Sequence, residues 1–314
     1  MKAVLRVLRS PAVRWGFLVI ALGFIVWFVW RNAAEIGAAL SRLSWSYLAI
    51  ALLASIAYVL LTLEAWRAVL RDLGDPLSFR AAIPLFGISQ LGKYIPGGVW
   101  NIAAAAELGQ AHRIPRRHSV AAMTIALLVS IVTGAAVGAI AFLASPGPLF
   151  TQWGWVPWLA VPLLLCLLPP IMNRLIALAW RLARLEPLET SVSSRGIGVV
   201  TMWSVAAWIL AGASVAALAV GMGAPADVAM LAQCIGGYAL AWTAGFLVFV
   251  APAGAGVREL VLVAALAGTL DSGAAVAIVL LSRILLTFVD LILAGMGALD
   301  LRITQRRDGA SATH

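Results

Sequence analysis

Lys93 is a charged residue in an apolar stretch of the sequence, and it stands shortly before a helix break. Pro96 lacks the backbone N–H that a helix interior needs, and Gly97 and Gly98 allow the backbone to turn. At membrane depth, irregular backbone survives only where protein or a water-filled cavity satisfies its polar groups. The pattern therefore predicts a helix–break–helix hairpin with a cation near its tip, a feature typical of transporter sites.

A second stretch contains the same ingredients about half a chain later. Pro252, Gly254 and Gly256 are followed at once by Arg258 and Glu259. A short Ala-rich run follows this break, as one follows the first. We interpret the two stretches as related parts of a degenerate internal repeat.

Cations beside broken helices predict an anion site. Lys93 and Arg258 would supply the charge, Glu259 would hold Arg258 in place, and helix N-termini after the breaks would add their dipoles. The planar guanidinium of Arg258 suits phosphate because it can bind two oxygens. Tyr94 and Asn101 are nearby polar side chains that complete the predicted binding set. The charges also fit a purely structural role, in which they lock the two hairpins together.

A second tier of ionisable residues lies in or beside the apolar segments: Glu64, Glu107, Arg283 and Asp290. Arg283 and Asp290 are two helical turns apart, so they share a helix face, which we expect to look into the bundle. One interpretation of the second tier is ion pairing. The other is a proton relay in which Asp290 or Glu107 titrates during transport.

The composition is that of a membrane protein. Hydrophobic residues make up 63% of the 314 residues, charged residues make up 11%, and the mean hydropathy is +1.00. A soluble domain carries about a quarter charged residues. The net charge of +9 does not indicate a nucleic-acid partner, because the basic residues cluster between apolar segments, where membrane topology explains them. We predict an all-α polytopic protein with about six full spans and two re-entrant hairpins.

The distribution of basic residues predicts the topology. If the basic segments are cytoplasmic, the hairpin at 82–109 enters from the cytoplasmic side and the hairpin at 228–268 enters from the outer side. The first repeat then covers about 45–144 and the second about 197–301, in inverted orientation within one transmembrane domain. The segment 228–250 is also long enough for a full span, which would leave the side assignments unchanged.

Segments outside the repeat complete this picture. Trp15–Trp30 follows a basic arm and lacks a clear small-x-small cleavage site, so a retained first helix fits better than a signal peptide. Val156–Pro170 is expected to be a short additional span. Both termini are expected in the cytoplasm, beneath the plasma membrane, with 302–314 as a polar tail.

Enzyme signatures are absent from the sequence. It has no nucleotide-binding glycine loop, no Ser–His–Asp set and no His/Cys metal spacing. Cys166 and Cys234 have no spacing partner. We therefore expect no catalytic residue, no metal and no cofactor, and any transport would be secondary or passive.

The two break motifs resemble the signatures of a known family. Gln90–Trp100 (QLGKYIPGGVW) and Pro252–Glu259 (PAGAGVRE) look like the two motifs of the lysylphosphatidylglycerol synthase transmembrane, or flippase-like, family, and the resemblance covers most of the chain. It implies an integral membrane protein that moves a polar-headed lipid between leaflets. Members that synthesise aminoacylated lipid carry a soluble catalytic domain after the membrane region. This sequence ends at His314 without one, so synthase activity is not expected.

Three functions are compatible with these residues. The first is a flippase-like protein whose partner is a phosphate-bearing membrane lipid, either a phospholipid or a polyprenyl-phosphate-linked lipid. The second is a secondary transporter of a small soluble anion that uses the same site. The third is a non-transporting scaffold for a lipid- or glycan-assembly enzyme, in which the broken helices are structural.

Overall fold

The computed structural model describes residues 33–94, 100–141, 154–183, 191–248 and 254–311, together with Trp30 and Leu143. Its helices are α1 (Ala33–Arg42), α2 (Trp45–Asp72), α3 (Phe79–Gln90), α4 (Trp100–Gln110), α5 (Arg116–Ala141), α6 (Ala160–Cys166), α7 (Pro169–Ala183), α8 (Ser194–Gly221), α9 (Val228–Leu247), α10 (Val257–Leu266) and α11 (Ser272–Ser311). Two 3₁₀ segments lie at Leu91–Tyr94 and Val156–Leu159. Within these ranges the protein is all-α, and the extended pairing is limited to an isolated bridge between Ala267 and Leu270.

In the described part of the chain, five helices are long and apolar enough to cross a membrane: α2, α5, α8, α9 and the Ser272–Leu299 part of α11. The protein is therefore a multi-pass membrane protein. The expected span Val156–Pro170 consists of a 3₁₀ turn and the seven-residue α6, followed by an 85° bend into α7; together this bent pair is long and apolar enough for a sixth crossing. Most of the expected first helix, Trp15–Trp30, lies outside the described residues.

The spans α2 and α8 form the most extensive helix–helix contact. Asp72 at the end of α2 accepts hydrogen bonds from Ser193 N at 2.7 Å and from Ser193 Oγ at 2.5 Å. Ser193 in turn caps the start of α8, because its Oγ accepts from Gly196 N at 2.9 Å. Halfway along the pair, the hydroxyls of Ser55 and Ser214 lie 2.9 Å apart. This contact joins the first span of one half of the chain to the first span of the other.

The remaining helices pack in matching pairs. The helix before each break packs on the last span of the other half, α3 on α11 and α9 on α5. The helix after each break packs on the last span of its own half, α4 on α5 and α10 on α11. Two helices separated by a break are called a broken pair here. The order of a span, a broken pair and a second span thus recurs along the chain, and corresponding helices of the two halves have corresponding neighbours.

The two broken pairs differ in length. The first consists of α3 and α4, with 12 and 11 residues, and neither reaches the roughly 20 residues that a bilayer requires. In the second, α9 has 20 residues and α10 has 10. By length α9 could cross alone, which is the alternative that the sequence allowed for 228–250. The predicted break residues Pro96, Gly97, Gly98 and Pro252 lie outside the described residues.

Candidate functional site

A cavity of about 180 Å³ lies between the two broken pairs. Its walls come from α2, α3, α4, α5, α9, α10 and α11, and from the 3₁₀ segment after α3. A cavity of this volume has room for several waters or a small polar group. Both halves of the chain therefore contribute to one cavity, which is partly open and has charged side chains in a largely apolar lining.

The structure brings most of the predicted site residues to this cavity. The lining includes Lys93, Tyr94, Asn101, Gly254, Arg258, Arg283 and Asp290. Two residues of the second tier lie elsewhere. Glu64 pairs with Arg67 on α2, and Glu107 forms an exposed 2.8 Å pair with Arg116 at the start of α5.

The first break is tied to α11 by its cation. Lys93 Nζ lies 2.6 Å from Asp290 Oδ2, and the Tyr94 hydroxyl donates to the same oxygen at 2.6 Å. The Tyr94 hydroxyl also lies 3.3 Å from Thr287 Oγ1. Asp290 is 1% exposed, whereas the Lys93 side chain is 34% exposed. A deeply buried carboxylate therefore holds a cation that can still reach the open part of the cavity.

The second break is tied to α11 by its carboxylate. Glu259 Oε1 lies 2.6 Å from Arg283 Nε, and Glu259 Oε2 accepts from the backbone N of Gly256 at 2.6 Å. The sequence predicted that Glu259 would hold Arg258, and the structure places it on Arg283 instead. The reason is geometric, because consecutive residues on a helix do not face each other.

Arg258 is buried without a carboxylate at ion-pair distance among the described residues. Its Nη2 donates to the hydroxyl of Tyr238, and its guanidinium carbon lies 4.7 Å above the centre of the Tyr238 ring. A neutral hydroxyl and a ring face orient a guanidinium, but they do not neutralise its charge. The lining contains three cations and the carboxylate of Asp290, and Glu259, which is not part of the lining, pairs with Arg283; the formal charge of the five groups is +1, and the geometry assigns it to Arg258.

An aromatic cluster packs around Tyr238, the residue whose ring and hydroxyl contact Arg258. The Tyr238 ring meets Tyr58 edge-on at 6.0 Å, and Trp208 lies 6.4 Å from Tyr238 and 5.1 Å from Trp242. Trp242 stacks on Phe246 at 5.5 Å. Rigid aromatic rings fix the position of the guanidinium and make this wall of the cavity apolar.

A close backbone contact between Gly254 and Gly245 fixes the position of the start of α10 relative to α9. Gly254 has a φ of 72°, in the left-handed region, and a Cβ built on it would come within 2.9 Å of Gly245 Cα on α9. Glycine meets both demands at once. The chain that leads into α10 is therefore pressed against α9, which carries Tyr238, and this contact sets where Arg258 points.

A family model described as the lysylphosphatidylglycerol synthase TM region matches residues 14–294. The chain belongs to this family. No curated protein matches the sequence. Membership in the lysylphosphatidylglycerol synthase TM family links the chain to lipid handling, and the matched range contains every residue that lines the cavity.

Sequence reasoning missed six aromatic residues that line the cavity, among them Trp66, Phe86 and Phe246. The other three are Tyr58, Tyr238 and Trp242, and Tyr238 contacts Arg258. Aromatic residues within an apolar span look like ordinary core residues. A tyrosine hydroxyl at mid-span could have been a signal, since it needs a hydrogen-bond partner when it is buried.

Proposed function

We propose that this protein binds the phosphate of a membrane lipid at Arg258 and moves the polar head of that lipid between leaflets. The substrate class is a phospholipid or a polyprenyl-phosphate-linked lipid. The acyl or prenyl tails stay in the bilayer while the head occupies the cavity. No covalent bond is made or broken, so the proposed activity is transport without catalysis, metal or cofactor.

The observation that carries this proposal is that Arg258 is buried in the cavity wall with no carboxylate at ion-pair distance among the described residues. An isolated charge in a low-dielectric site is costly, and a bound anion removes that cost. The other two cations of the cavity already have carboxylate partners at 2.6 Å. Arg258 offers several donors in a planar fork, which matches phosphate oxygens.

Family membership favours a lipid over a soluble anion. The wall of aromatic rings beside Arg258 supports the same choice, because an apolar wall suits the glycerol or isoprenoid part next to a phosphate. In this proposal membrane lipids are the partners, and an enzyme that modifies lipids or glycans would supply or consume the moved lipid.

We also propose an inverted repeat around the cavity, in the plasma membrane, with both termini in the cytoplasm. The matching packing pairs of the two halves support a repeat. The basic segments support the cytoplasmic placement of the termini. The short α3 and α4 support a re-entrant first pair. Rocking of one half against the other would then open the cavity to alternate sides.

A leaflet-translocation assay tests this function. The protein would be reconstituted into liposomes with a head-labelled phosphatidylglycerol or a labelled polyprenyl phosphate, and the label reaching the opposite leaflet would be measured. Wild type is expected to accelerate translocation, and Arg258→Ala is expected to abolish the acceleration. Arg116→Ala is the matched control, because it also removes an arginine, but one whose side chain is 62% exposed outside the cavity.

Two outcomes would contradict the proposal. If folded wild-type protein moved no lipid but took up inorganic phosphate into the liposomes, the site would serve a soluble anion. If it moved neither, and Arg258→Ala retained full function in cells, the broken helices would be structural parts of a scaffold.

A further inference from the structure

Asp290 has an oxygen with no hydrogen-bond partner, although the residue is buried at the centre of the site. Its Oδ2 accepts from Lys93 and Tyr94, while its Oδ1 has no partner among the described residues. A buried carboxylate oxygen without a donor is costly, and protonation of the carboxyl lowers that cost by removing the buried charge. Asp290 also lines the cavity, so both water and substrate can reach its surroundings.

The other ionisable groups near Asp290 already have fixed partners or fixed charges. Arg283 and Glu259 hold each other, and Arg258 contacts Tyr238. From α2 the only ionisable residue in the cavity lining is Tyr58, and α8 carries none between 197 and 221. Among the described residues, the Lys93–Asp290 pair is therefore the one that can be rearranged with least disturbance.

Protonation of Asp290 would change how many cations face the cavity. With Asp290 charged, Lys93 is occupied by its carboxylate and Arg258 alone is available. With Asp290 protonated, Lys93 loses its ionic partner and, being 34% exposed, can turn to an anion in the cavity. A proton on Asp290 thus increases anion affinity, and by linkage a bound anion increases proton affinity by the same factor.

We propose that Asp290 couples the transported anion to a proton, by exchanging Lys93 for the proton when a phosphate binds. The inference rests on the proposed function and adds to it a driving ion. Moving the lipid head would consume a proton gradient, and one proton would accompany each monoanionic phosphate. The net charge of the occupied cavity then stays at the +1 of the empty one.

Calorimetry with a short-chain phosphatidylglycerol tests the coupling directly. Its phosphodiester does not titrate near neutral pH, so proton uptake on binding, measured in two buffers of different ionisation enthalpy, must come from the protein. Wild type is expected to take up about one proton per lipid. Asp290→Asn mimics the protonated carboxyl, so it should bind the lipid about ten- to hundredfold more tightly at pH 8 than wild type, with no proton uptake.

A second variant keeps the coupling testable even if Asp290→Asn does not fold. Lys93→Gln leaves Asp290 intact but removes the cation that protonation would free, so its affinity should no longer rise as the pH falls. Glu107→Gln is the matched control, because it neutralises an exposed carboxylate of the Glu107–Arg116 pair and should behave like wild type.

The outcomes separate the coupling from the proposed function. Binding or translocation by wild type without proton uptake would refute the coupling and leave the lipid function standing. Asp290→Asn binding more weakly than wild type would also refute it. Absence of both lipid binding and translocation in folded wild type would refute the function itself.

Discussion

Each of the two broken pairs is held to α11 by its own ion pair, but the cation and the carboxylate are exchanged between the two. In the first, the break carries the cation, Lys93, and α11 carries the carboxylate, Asp290. In the second, the break carries the carboxylate, Glu259, and α11 carries the cation, Arg283. The reversal leaves Arg258, the neighbour of Glu259, facing the cavity beside a neutral tyrosine.

This difference gives two similar motifs different roles. The first break presents a compensated cation that is partly exposed, and the second presents a buried cation that lacks a carboxylate among the described residues. A repeat that had kept the same polarity in both halves would have paired both break cations with α11. Under the proposed function, the opposite polarity leaves the site held in place by two ion pairs while Arg258 remains available for an anion.

The largest expected loss of stability comes from removing the two ion pairs that hold the broken pairs to α11. Glu259→Gln removes the carboxylate from Arg283, whose guanidinium cannot lose its proton, so the variant should be destabilised by about 3–5 kcal/mol. Lys93→Gln should cost less, about 1–3 kcal/mol, because the Lys93 side chain is 34% exposed and Tyr94 still donates to Asp290. Thermal unfolding in detergent would measure both. An equal loss in the two variants would contradict the contrast, and Glu107→Gln, in an exposed pair, should cost less than about 1 kcal/mol.

The ends of the helices that flank the predicted breaks agree with the sequence, because the signal is local: the 3₁₀ segment after α3 ends at Tyr94, α4 begins at Trp100, α9 ends at Leu247 and α10 begins at Val257. Proline and glycine next to a charge in an apolar stretch contradict a continuous span, whatever the rest of the chain does. The shared face of Arg283 and Asp290 followed from helix geometry in the same way. Both residues lie in the cavity wall, as a face directed into the bundle requires.

Partner choice could not be predicted, because it depends on how α11 is rotated against each break. The sequence suggested Glu259 for Arg258 on proximity alone, whereas helix geometry turns the two side chains apart. The extent of α9 was easier to predict. The sequence indicated an apolar segment at 228–250 that is long enough for a full span, and α9 covers Val228–Leu247.

A smaller effect is expected from the backbone contact that places the second break. Gly254→Ala adds left-handed strain of about 1–2 kcal/mol and an overlap with Gly245, for a total of about 3 kcal/mol. Gly74→Ala is the matched control, with a φ of 94° and open space around it, so it should show the strain alone. Chemical unfolding of the two variants would compare them. If both lost the same stability, the contact with α9 would not position the break.

The smallest effect should come from exchanging the types of the two cations while keeping their charge. Arg258→Lys loses the planar stack on Tyr238 and the two-oxygen contact with phosphate, so affinity for short-chain phosphatidylglycerol should fall about tenfold, or about 1.4 kcal/mol. Lys93→Arg should change it by less than about threefold, because Lys93 contacts Asp290 as a point charge and has exposed space beside it. Calorimetric titration of both variants measures the contrast. Equal losses would mean that the two breaks offer equivalent anion sites, and the reversed polarity would then have no functional consequence.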